Sequence, residues 1–107
     1  ANPISFKGEN SSKGYWYGIN FASNNADNQL SFVEIADGGR TSSYANVLVS
    51  SSGSLNMTNS TLTNSKTFGL IVRSGAVATP ATEATMIAQN SFSNNGDDGT
   101  AAVNGLP

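Results

Sequence analysis

The chain has 107 residues and neither Cys nor His, which excludes a disulfide scaffold, a Cys- or His-liganded zinc site and any mechanism that turns on an imidazole base. Seven acidic residues against five basic ones leave a net charge of −2, so the basic face a nucleic-acid partner needs is missing; no apolar run reaches the length of a membrane-spanning helix, and no membrane partner is expected. Asn, Ser and Thr supply 39 residues and Leu, Ile, Val and Phe only 22, a thin allowance for a two-layer core but a workable one for short strands stacked in one direction.

The predicted elements follow from alternation. Ala1, with neither Met nor a leader before it, is expected to be a processed or trimmed end. Ile4-Ser5-Phe6 opens as a strand, and Tyr15-Trp16-Tyr17 leads into a second, where Ile19 and Phe21 share a face. Residues 30–35 form a longer strand-like segment. The pattern then recurs: Val47/Val49, residues 55–62, Leu70/Val72, residues 85–92, and a last short segment ending at Val103. Residues 76–84 read as a loop between coils. Helix is poorly supported, because Ser, Thr and Asn compete for backbone bonds; Ala76 to Ala88 alone tolerates it, and Pro80 interrupts it. Turn residues bound each segment, as in Ser23-Asn24-Asn25, Asp37-Gly38-Gly39 and Asn94-Asn95-Gly96.

The longer segments align in columns. Leu30, Met57 and Ile87 fall in one; Ile35, Leu62 and Phe92, five residues on, fall in the next; Asp37, Asn64 and Asn94 follow two residues later. Like residues recurring at irregular intervals favour parallel, in-register stacking over hairpins.

Residues 4–6 followed by 15–21 resemble the "PI-x-F … W-x-GI-x-F" opening of right-handed parallel β-helix repeat proteins, the pectate-lyase-like solenoid superfamily. Residues 30–39 resemble their "L-x-Y-V-x-I-x-x-GG" coil, and residues 55–64 and 86–95 their "I-x-N-S-x-F-x-N-N" coils. The resemblance implies an all-β, right-handed parallel β-helix of about three full coils with partial coils at its ends. It leaves function open, since the family holds polysaccharide lyases, adhesins, phage spikes and surface proteins. Inward apolar residues should stack coil on coil, and the Asp37/Asn64/Asn94 column should form a ladder of side-chain amides at a turn. Residues 1–107 read as a single module with uncapped ends, either part of a longer solenoid or a subunit that stacks on itself.

Chemistry is sparse. A lyase of this fold needs several carboxylates for Ca²⁺ beside a Lys or Arg base, and a hydrolase needs carboxylates about 5–10 Å apart. The acidic residues are scattered, and only Asp97 and Asp98 are adjacent, in a turn. They are weak metal candidates: residues 94–98 offer oxygen ligands for Ca²⁺ but lack an EF-hand pattern, and a solvated polar turn is the plainer reading. No catalytic residue and no cofactor is expected. Alternation turns Trp16 away from Tyr17, Ile19 and Phe21, so Trp16 either stacks on a sugar or a partner or packs under residues 7–13. A Thr array of the ice-binding kind needs Thr-x-Thr in every coil; only Thr61-Leu62-Thr63 fits, against Glu34/Ala36 and Ser91/Ser93. Sequons begin at Asn10, Asn56 and Asn59. The resulting expectation is a non-enzymatic, secreted or cell-surface structural module that self-associates end to end. A carbohydrate-binding or lyase-like module and an adhesin segment are the alternatives.

Overall fold

Apolar residues two apart in a short extended segment bury one face only, so each segment needs a neighbour of its own kind. The chain meets that need by coiling. A computed structural model describes residues 3–107, and the expectation for Ala1 lies outside them. The first coil holds β1 (Ile4–Phe6), β2 (Ile19–Phe21) and β3 (Gln29–Ser31). The second holds β4 (Val33–Ala36), β5 (Val47–Val49) and β6 (Ser54–Thr58), and the third β7 (Thr61–Thr63), β8 (Leu70–Val72) and β9 (Val77–Thr79). Helix α1 (Glu83–Gln89) then leads into β10 (Ser91–Ser93) and β11 (Val103–Asn104) of a partial coil.

Strands in equivalent places pair in parallel and make three sheets: β1-β4-β7-β10, β2-β5-β8-β11 and β3-β6-β9. The molecule is therefore a mostly-β parallel solenoid of about three turns with one short helix. Phe6, Ile35, Leu62 and Phe92 are in register along the first sheet, and Ile19, Val47, Leu70 and Val103 along the second. Apart from Phe6, these residues meet Leu55, Met57 and Met86 in one central core. The second sheet is also covered on its outer face, where Tyr44 and Phe68 pack on Leu48 and Ile71.

Three expectations are corrected. Residues 30–35 and 55–62 are not single strands. Each is broken by a residue in the left-handed region, Phe32 (φ 57°) and Asn59 (φ 54°), and the chain turns there from the third sheet to the first. Two strand types thus become three sheets. Residues 76–84 are not all loop, because Val77–Thr79 adds β9 to the third sheet. Residues 85–92 begin as helix, so Ile87 does not continue the Leu30/Met57 column and is exposed. Local capping explains the helix: the Thr82 hydroxyl accepts from the Thr85 N–H at 3.3 Å, and Glu83 lies in the first turn. Met86 is the residue α1 buries, beside Met57, and the Asn90 amide donates to the carbonyls of both.

Candidate functional site

The corner between the first and second sheets gathers most of the residues singled out above. Asp37, Asn64 and Asn94 stand one above another there, each in the left-handed region, with φ of 70°, 57° and 55°. Asn and Asp tolerate that conformation better than other residues with a side chain. Their side chains form a ladder. The Asn94 amide donates to Asn64 Oδ1 at 3.0 Å, and the Asn64 amide donates to Asp37 Oδ1 at 2.8 Å. The second Asp37 oxygen accepts from the Gly8 N–H at 3.2 Å.

A strap lies over this ladder. Residues 8–16 leave the first coil, run down the corner and return. The Asn64 amide reaches the Ser11 carbonyl at 3.2 Å, and the Lys13 ammonium donates to the Gly96 carbonyl in the last coil. On the return, the Trp16 N–H donates to the Asp37 carbonyl at 3.3 Å and the indole Nε1–H to the Ala36 carbonyl at 2.7 Å. Trp16 packs against the central core and is half-buried. Of the two expectations for Trp16, outward stacking or packing, the packed one is nearer, but its partner is the central core and the alternation that turned it away from Ile19 and Phe21 does not hold. Gly18 is the reason: at φ 109° it breaks the alternation, so Trp16 turns inward and Tyr17 outward. A Cβ at position 18 would collide with the Ala45 carbonyl, so strand β2 can approach its neighbour this closely only through glycine. Tyr17 meets the edge of the Tyr44 ring, with centroids 5.2 Å apart, and Arg40 stands over it at 5.8 Å.

Sequence reasoning missed a second set of polar residues, inside the corners. Asn46, Asn90 and Asn95 are buried, and each ties chain segments together. Asn46 accepts from the Gly38 N–H and donates to the Thr63 carbonyl; Asn90 accepts from the Ser60 N–H; Asn95 accepts from the Ser65 N–H and donates to the Leu62 carbonyl. Only Asn90 and Asn95 share an offset, each lying 30 residues after its partner, Ser60 or Ser65; Asn46 has none.

Asp97 and Asp98 sit in the turn after Asn95, and among the described residues no three carboxylates gather where a metal could be held. Asp98 is fully exposed and occupied locally: its Oδ1 accepts from the Thr100 hydroxyl at 2.8 Å and the Thr100 N–H at 3.0 Å. The Thr100 hydroxyl, then the Thr100 N–H, hold its carboxyl below the ordinary aspartate range. A lowered pKa stabilises the fold above the ordinary value, and that contribution fades as the pH falls through the lowered one. Carboxyl carbon NMR is expected to show Asp98 titrating below a free aspartate, and Thr100→Val to move it upward; an unmoved midpoint would refute the assignment.

Two further surfaces remain. On β1, Ile4 and Phe6 are 64% and 39% exposed, although Ile35 and Leu62 in the Phe6 column are fully buried. At the turn from the third sheet to the first, Phe32 borders a cavity of about 380 Å³ lined by amides and hydroxyls. Compared with protein-family models, with curated proteins and with solved structures, the chain matches none.

Proposed function

We propose that this chain is a non-enzymatic structural module that stacks head to tail with further copies of itself, outside the cell. The observation that carries the reading is the exposed face of the first coil, where Ile4 and Phe6 present apolar side chains in columns that elsewhere are core. A coil laid on this face would bury them as Ile35 and Leu62 are buried. The opposite end offers the matching columns. Phe92 on β10 shares a column with Phe6, and Val103 on β11 shares one with Ile19. The third sheet stops at β9, so the contact would run through the first and second sheets. Two different faces meeting in this way make a contact that does not close, and such contacts build filaments. Low charge and Ser/Thr/Asn-rich outer positions support an extracellular setting.

Light scattering and negative-stain imaging over a concentration series test the proposal. Rods of variable length are expected from the native chain. Phe6→Lys should give a single monomeric species with an unchanged β-sheet circular dichroism spectrum, since position 6 lies at the end of its column. A native chain that stays monomeric at millimolar concentration would dispose of the reading.

A further inference from the structure

Among the described residues nothing gives Phe32 a conformational or a packing reason to be where it is. Its φ is 57°, a region that bulky residues avoid, and it lies outside both hydrophobic clusters with 61% of its surface exposed. The same turn one coil later uses Asn59 at φ 54°, a residue that fits there. A strained aromatic held in solvent implies a use that folding does not supply.

Its surroundings indicate the use. The cavity beside it, about 380 Å³, is lined among others by Asn59, Thr61, Gln89 and Ser91, and none of the lining residues is charged. The side chains of these four make no hydrogen bond to any described residue, whereas the neighbouring Ser60 and Asn90 side chains are spent on backbone groups. Free amides and hydroxyls therefore gather beside an exposed ring. Asn59 follows Phe32 by one coil, and its N–H bonds the Gln89 carbonyl, which places Gln89 a coil further on. At a strand spacing of about 4.8 Å the row from Phe32 to Gln89 is about 10 Å long, close to the length of two linked hexoses in an extended glycan.

We infer that this turn is a binding site for an uncharged oligosaccharide. Phe32 takes the apolar C–H face of one sugar ring, and the Asn59 and Gln89 amides with the Thr61 and Ser91 hydroxyls pair with the hydroxyls of the chain. An acidic sugar would ask for a cation, and the lining has none. The inference is independent of head-to-tail stacking, because it uses a lateral turn and not an end face.

The test titrates the ¹⁵N-labelled native chain and Phe32→Asn with cellohexaose, maltohexaose, mannohexaose and hexagalacturonate, following backbone amide shifts and thermal melting. At least one neutral hexasaccharide should give saturable shifts centred on Phe32, Asn59 and Gln89. Phe32→Asn should weaken that binding by about tenfold or more, the weight of one aromatic stack. It should also raise the melting temperature, because Asn accepts the left-handed conformation, so lost binding cannot be put down to unfolding. The inference is overturned by any of three results: no saturable shift with any neutral hexasaccharide, tighter binding of hexagalacturonate, or equal binding by Phe32→Asn.

Discussion

Trp16→Ala is expected to lower the folding stability by about 3 kcal/mol, an effect usual for a large side chain removed from core contact. Two losses combine. The indole leaves its packing on the central cluster, and the Ala36 carbonyl loses the Nε1–H donor that sat 2.7 Å away. Trp16 also fastens the return of the strap over the Asp37/Asn64/Asn94 ladder, through backbone bonds to Asp37 and Arg40. Its loss should therefore spread along residues 8–16. Urea denaturation reads the stability, and hydrogen exchange reads the Gly8 and Tyr15 amides, whose protection should fall first. Trp16→Phe, which keeps a ring and drops the donor, should cost about 1 kcal/mol. If Trp16→Ala moved stability by less than about 0.5 kcal/mol, the strap would be an ornament of the surface and not a fastening.

Asn95→Leu is the second large effect, expected at about 2–4 kcal/mol. Leucine keeps the branched outline of asparagine and is the bulkier of the two, so no void opens. The damage is polar: the Ser65 N–H loses its acceptor and the Leu62 carbonyl loses a donor, in a place closed to water. Because each coil of a solenoid touches only its neighbours, the loss should be graded along the axis. Amides of β10 and β11 should exchange faster while those of β4 and β5 keep their protection. Uniform loss across all coils would show that the solenoid unfolds as one unit, and that the graded picture is wrong.

The residues that were legible from sequence are those whose kind recurs from coil to coil, even at irregular intervals. Ile35, Leu62 and Phe92 lie in one column, as do Leu30 and Met57, because two-residue alternation and in-register pairing leave the same signature in the chain. Ile87 falls out of its column because an N-cap at Thr82 and an apolar insertion at Met86 outweigh strand pattern over a short stretch. Trp16 was placed on the wrong side because one left-handed glycine resets the alternation, and nothing in the alternation itself reports φ. The buried amides went unseen for a different reason. Asn46, Asn90 and Asn95 look like any other Asn in a chain rich in them, and what separates them is the backbone group each one faces. Phe32 reads in sequence only as part of the strand-like segment 30–35. Its neighbour in the next coil, Asn59 before Ser60, is the residue that marks a corner there.

The ladder at the strap-covered corner has a direction, and the direction limits how this solenoid can lengthen. Asn64 takes a hydrogen bond from Asn94 and gives one to Asp37, so a coil with asparagine at this position can be copied between those two without leaving a donor or acceptor unmatched. Asp37 only takes, from Asn64 on one side and from the Gly8 N–H on the other. Duplicating its coil would set two carboxylates against each other, acceptor facing acceptor with no donor between them. Growth by duplication is therefore open to the asparagine-bearing coil and closed to the aspartate-bearing one.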